Sequence, residues 1–205
     1  SDLSNTILYE AEELLNFIFP PEEMTKPNPE LPNLDEIIKL SLEPGDIQPG
    51  KEYNLYRINR NAANLLSSPS KRIHEKLRQD NSKRFFKSLR KFIFSKYNQN
   101  VMFAGHFQRI FEATLQKSKD DLLDKSYNDK FDDNFIPFII KNSNLLPYRE
   151  LLTSIISDFS DSFPTCADEA LRYAAISTLH FRETPEDLDV ISIKNPTDKK
   201  KADSL

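Results

Sequence analysis

Residues able to do acid–base, nucleophilic or metal chemistry are scarce in this sequence. His74, His106 and His180 are its only histidines and Cys166 its only cysteine. None of the histidines has a second ligand type beside it at a spacing that would build a zinc-like site. In the string HFQRIFE, His106 and Glu112 stand six residues apart, which on a helix turns them to different faces and keeps them from converging. Histidines on half-buried helix faces are the plain expectation. Cys166 falls near a predicted helix start, where the macrodipole would lower a thiol pKa. Asp168 and Glu169 beside it oppose that effect and no histidine adjoins it, so an ordinary buried cysteine is expected. The acidic pairs Glu12–Glu13, Asp120–Asp121 and Asp132–Asp133 read as helix starts or solvated faces. No catalytic residue, metal ligand or cofactor-binding residue is assigned, and the expectation is a chain that is not an enzyme and takes no small-molecule substrate.

Charge is distributed less evenly. Between Lys71 and Lys96 lie Arg72, Lys76, Arg78, Lys83, Arg84, Lys87, Arg90 and Lys91, against only Glu75 and Asp80. On a helix predicted from Ser82 to Lys96, Lys83, Lys87, Arg90 and Lys91 take one side, while Phe85, Phe86, Leu89, Phe92 and Ile93 take the other. Such a basic amphipathic helix has three readings: a solvated face with counter-charges supplied elsewhere in the fold, a docking surface for an acidic protein partner, or a phosphate or lipid-headgroup site. Its aromatic residues share the side an adjoining helix would cover, rather than alternating with the charges. That pattern argues against nucleic acid.

The elements that must position these residues follow from composition and periodicity. With 38% hydrophobic and 29% charged residues, the chain is lean in apolar residues but rich enough in Leu, Ile and Phe to fold. Three glycines in the whole chain largely exclude phosphate-cradling loops, dinucleotide fingerprints and tight hairpins, which need glycine's conformational freedom. A net charge of -4 gives no global attraction to nucleic acid or anionic lipid. No apolar run is long enough to span a membrane, no basic region precedes the N-terminal apolar stretch as in a signal peptide, and one cysteine fits a reducing compartment.

Apolar residues recur at helical spacing throughout, and no strand alternation persists. A first helix is predicted over Leu3–Phe19, through Ile7, Leu8, Ala11, Leu14, Leu15 and Ile18, and Pro20–Pro21 stop it. A second is predicted over Leu34–Leu42, with Asn33 and Glu36 as a capping box. The loop EPGDIQPGKEY follows. Leu55, Ile58, Ala62, Leu65 and Leu66 form the next stripe; Ser68 and Pro69 are expected to open another helix, with Ile73 and Leu77 facing inward. Further helices are predicted through Met102–Leu115, through Phe135–Ile140 with Asn134 as cap and Pro137 in the first turn, from Pro147 through Ile156, and from Pro164 or Thr165 through Leu179. The fold class predicted is all-α, an armadillo- or HEAT-like stack of short antiparallel helix pairs over residues 1–181. Residues 182–205 read as a polar tail with DVISI as a possible extended piece.

The order of segments in the middle of the chain carries a further likeness. LPNLDEIIKLSLEP, NRNAANLLSSPSKRIHEKL, FFKSLRKFIFSKYNQNVMFAGHFQRIFEATL and FIPFIIKNSNLLPYRELLTSIISDF occur in that order. Asn100, Ala104, Gly105 and Phe107 match, at the same spacing, a passage that opens a long helix in the SAPS-domain family, with His106 where the family has an aromatic residue. Phe135, Ile139, Ile140, Leu151, Leu152 and Ile155 line up with the apolar and Leu-rich helices that follow. The chain therefore resembles the N-terminal half of that family over residues 31–159. It departs in reading NSNLLP where the family has a G-T-S turn, and the family domain is longer.

The resemblance implies a non-catalytic regulatory or scaffold subunit that holds the catalytic subunit of a serine/threonine protein phosphatase of the phosphatase 6 type. It also implies a cytoplasmic location, with the nucleus as an alternative. Exposed cations on one face, Arg57, Arg60, Lys71 and Arg72, together with Lys83, Lys87, Arg90 and Lys91, are the expected contact residues by their polarity alone. The competing expectation is a helical adaptor that binds an anionic lipid surface or nucleic acid through the basic helix 82–96. A helical secreted effector with a host protein target is a third. Gly105 inside a helical pattern costs about 1 kcal/mol against alanine; either a close approach of two helices justifies it or the glycine is simply tolerated there.

Overall fold

The computed structural model describes residues 12–44, 52–127 and 130–173. Every regular element among these residues is helical, so the chain is all-α there. It divides into two compact units, Ser1–Phe159 and Ser160–Leu205. Ile7, Leu8 and Ala11, both loop glycines at 45 and 50, Ala174 through Leu179, His180, the boundary predicted at 181 and the tail with DVISI lie outside the described residues.

In the first unit the long helix α6 (Val101–Leu122) is the central element. It packs against α2 (Pro32–Leu42), α3 (Glu52–Leu66), α4 (Lys71–Gln79), α5 (Arg84–Lys91) and α8 (Leu146–Asp158). The helix α1 (residues 12–18) precedes them, and α7 (Phe131–Lys141) lies against α6 through aromatic rings. Phe103, Ala104, His106, Phe107, Ile110, Phe111, Thr114 and Leu115 of α6 are all buried, which is more than a single amphipathic stripe and marks a helix covered on several sides. Its rings organise the core: Phe107 stacks on Phe92 at 4.8 Å and Phe111 meets Phe135 at 4.6 Å. Phe131 and Phe135 stack at 4.5 Å in turn. Each such pair adds about 0.5–1.5 kcal/mol beyond its area burial.

Several predicted boundaries move, each for a local reason. α2 begins at Pro32, capped by Leu31 with no side-chain bond, because the proline's preset backbone opens the helix where a missing N–H costs nothing. Asn33 is inside the helix, and its Nδ2 donates 2.7 Å to the carbonyl of Phe17. α4 starts at Lys71 after Ser70; Ser68 and Pro69 lie ahead of it, with the Ser68 hydroxyl accepting from the Ser70 amide at 3.2 Å. α7 starts four residues before Phe135, so Pro137 sits in its interior instead of its first turn. Both Pro137 and Asp133, whose carbonyl loses a donor there, are exposed, so water can serve that carbonyl while Phe131 and Phe135 are buried. Leu14 is exposed although it falls in the predicted stripe of the first helix.

α3 is rotated from the predicted register. Asn59, Ala62, Ala63 and Leu66 are buried, and Ile58 is 48% exposed. The small pair Ala62–Ala63 lets α3 lie close to its neighbours, and the Asn59 Nδ2 is satisfied at 3.0 Å by the carbonyl of Glu43. Gly105 faces α8, but a methyl group there would rest 3.8 Å from Pro147 Cγ. That is ordinary van der Waals contact, so close approach does not demand glycine.

In the second unit, a 3-10 turn at Ser160–Ser162 leads to α9 (residues 166–173). Thr165 opens this helix, donating its hydroxyl 2.9 Å to Glu169 Oε1.

Candidate partner-binding site

The predicted basic helix is shorter than expected, and Lys83, Arg84 and Arg90 are neutralised from within the fold. It runs from Arg84 to Lys91, followed by a 3-10 turn, Phe92–Phe94. Its start is set by Asp80, which is fully buried; its two oxygens accept from the amides of Ser82 at 3.2 Å and Arg84 at 2.9 Å. Lys83 bridges this turn with a left-handed backbone, φ 51°. It extends its amine 2.8 Å to Asp121 Oδ1 and 2.8 Å to the carbonyl of Arg78. Arg78 grips the other oxygen of Asp121 at 2.9 Å. Arg84 pairs with Asp35 at 2.9 Å and donates to the carbonyl of Pro29 at 3.0 Å.

Arg90 overturns the expected division into two faces. It is 1% exposed, on the core side with the phenylalanines. Its Nη1 donates 2.9 Å to the carbonyl of Leu122 and its Nη2 lies 3.2 Å from Asp132. The guanidinium covers the Phe131 ring at 4.5 Å and the Tyr127 ring at 5.2 Å. A charge this buried is tolerated because it is both paired and hydrogen-bonded. Arg90 is therefore a core strut and no partner contact. Lys87 is exposed, donates 2.8 Å to the carbonyl of Ser82 and leans over Tyr127. Lys91 is exposed on the rim of a groove of about 360 Å³ between α2 and α5, with Lys39 opposite and Ile38, Leu42 and Phe92 along the floor.

Of the remaining expected contacts, Lys71 and Arg72 are exposed, with long surface pairs to Glu75 at 3.8 Å and Glu12 at 3.6 Å. Pairs of that kind contribute about 0–1 kcal/mol. Arg57 and Arg60 are exposed on α3, and neither has a carboxylate within 4.0 Å among the described residues. They share one side of α3 with Asn61 and Asn64, opposite the buried side made by Asn59, Ala62, Ala63 and Leu66. Arg109 of α6, which sequence reasoning missed, joins them: its Nη1 donates 2.8 Å to Asn64 Oδ1, and it too has no carboxylate within 4.0 Å among the described residues. No periodic signal in HFQRIFE ties Arg109 to Arg57 and Arg60. Only the packing of α3 on α6 does so.

The family-motif residues lie together on α6. Asn100 is its N-cap, with Oδ1 accepting from the amides of Met102 at 3.0 Å and Phe103 at 3.4 Å. Ala104 and Phe107 are buried, and Gly105 faces Pro147. His106 is buried, its Nδ1 3.0 Å from the carbonyl of Ser41. Burial pushes its pKa down, overcoming the backbone bond, and Arg109 and Arg60 push the same way. His74 behaves alike: burial lowers its pKa, the Ser68 carbonyl raises it and Lys117 lowers it. Cys166 is buried, and burial followed by the Glu169 charge raises its thiol pKa to about 11, so it stays protonated near neutrality.

Among the described residues, no group of three or more His, Cys, Asp or Glu side chains could hold a metal ion. No helix there is long and apolar enough to cross a membrane. Comparison with protein-family models, with curated proteins and with solved structures finds no match to this chain.

Proposed function

We propose that this chain is a non-catalytic regulatory or scaffold subunit that binds the catalytic subunit of a serine/threonine protein phosphatase, in the cytoplasm or nucleus. The observation that supports the reading best concerns the segment carrying the family likeness. Its cap Asn100 and its buried residues Ala104 and Phe107 build α6, the helix around which the first unit packs. A likeness seated there concerns the framework of the domain, not a surface helix whose pattern could arise in many proteins. The armadillo-like reading of the helix packing belongs to the same proposal, since stacked helical layers present extended faces to a partner.

The test is affinity capture with the tagged chain from cells of its source. A phosphatase catalytic subunit recovered in near-equal amount is the expected result. Its absence at low salt, where electrostatic contacts are strongest, would sink the proposal.

A further inference from the structure

The cations of this chain fall into two populations. Four at or beside α4 and α5 are spent inside the fold: Arg78 and Lys83 on Asp121, Arg84 on Asp35, Arg90 on Asp132. Arg57, Arg60 and Arg109 are not. They form a stripe along α3 and the adjoining turn of α6, with Asn61 and Asn64 as the polar residues between them. Arg109 is tied to α3 by its 2.8 Å bond to Asn64, one helical turn beyond Arg60. Among the described residues, none of the three has a carboxylate within 4.0 Å.

A net-negative chain, -4 overall, gains nothing in solubility from gathering on one side three arginines that have no carboxylate partner among the described residues, and like charges at such spacing repel. Arginine is also the cation suited to interfaces. Its planar fork binds carboxylates with two parallel bonds, and it sheds water more readily than lysine. We propose that the α3–α6 stripe of Arg57, Arg60 and Arg109 is the docking surface for an acidic, Asp/Glu-rich segment of a protein partner. Charge complementarity identifies the occupant: guanidinium groups at 57 and 60 are one helical turn apart, and Arg109, held by Asn64, supplies the third fork. Within the proposed function, this surface is where the partner would sit; that step rests on the phosphatase reading, whereas the acid-binding surface itself does not.

The experiment uses the full chain and a fluorescein-labelled twelve-residue peptide alternating Glu with Ser and Gly, followed by fluorescence anisotropy at rising salt. The triple variant R57Q/R60Q/R109Q is compared with a charge-matched control, K71Q/R72Q/K91Q, after circular dichroism shows both folded. Removing the stripe is expected to weaken binding about tenfold or more, as loss of complementary interfacial charges does, and to flatten the salt dependence. The control should remain near wild type. Equal weakening by both variants, or no binding by wild type at low salt, would overturn the proposal. So would single-stranded RNA displacing the peptide and binding more tightly through the same arginines. Capture of the phosphatase is the separate arm. Recovery by both wild type and the triple variant would place the phosphatase elsewhere, overturning the step that seats it on the stripe while sparing the phosphatase reading. Peptide binding without phosphatase recovery would do the reverse.

Discussion

Truncating Arg90 to alanine gives the sharpest test of how the first unit is held together. The side chain is 1% exposed and ties three elements: α5, which carries it, the end of α6 through the Leu122 carbonyl at 2.9 Å, and α7 through Asp132 at 3.2 Å. Losing the charged hydrogen bond to Leu122 costs about 1.5–3 kcal/mol, because a carbonyl left behind in the core has no substitute donor. The rings of Phe131 and Tyr127 lose a cation above them, about 0.5–1 kcal/mol each. Asp132 is 44% exposed, so water recovers most of its share and its contribution is small. The sum is about 3–5 kcal/mol, a shift in melting temperature on the order of 10 °C for a unit of this size. Urea unfolding of Arg90→Ala, Arg90→Met and Asp132→Asn measures the parts. Methionine fills the volume but leaves the Leu122 carbonyl unpaired, so it should restore only part of the loss, and Asp132→Asn should cost about 1 kcal/mol or less. An Arg90→Ala loss under about 1 kcal/mol would refute the view of Arg90 as a strut and return it to the surface.

Gly105→Ala should stabilise the protein by up to about 1 kcal/mol, since α6 gains helix propensity and the added methyl meets Pro147 at ordinary contact distance; a raised urea midpoint with unchanged slope checks it, and a lowered midpoint would mean the α6–α8 contact is tighter than it looks. His74 and His106 both have pKa values held below the ordinary 6.5 by burial. Below that value the unfolded chain takes up protons that the folded one resists, so stability is full above pH 6.5 and falls as pH drops through and below it. Unfolding curves at pH 8 and pH 5.5 should differ in that direction, and His106→Gln should reduce the difference; a flat response across that range would mean neither ring resists protonation.

The run of three- and four-residue apolar spacings was enough to establish an all-α fold over the described residues, because burying one side of a helix leaves a local, periodic record. The identity of the phenylalanines as core was equally legible: Phe85, Phe86, Phe92, Phe103, Phe107 and Phe111 are all buried. Helix starts were less legible, since a cap is one residue competing with its neighbours, and Pro32 outcompeted Asn33 while Asp80 set α5 from four residues away. What tertiary structure alone decided was the fate of each charge. Arg57, Arg60, Lys83 and Arg90 look alike in a sequence, yet Asp121 and Asp132, far along the chain, reach Lys83 and Arg90, while among the described residues no carboxylate reaches the α3 arginines. Charge pairing acts through space with no periodic signature, so the division between struts and a free basic surface could be drawn only once α3, α5 and α7 were seen against α6.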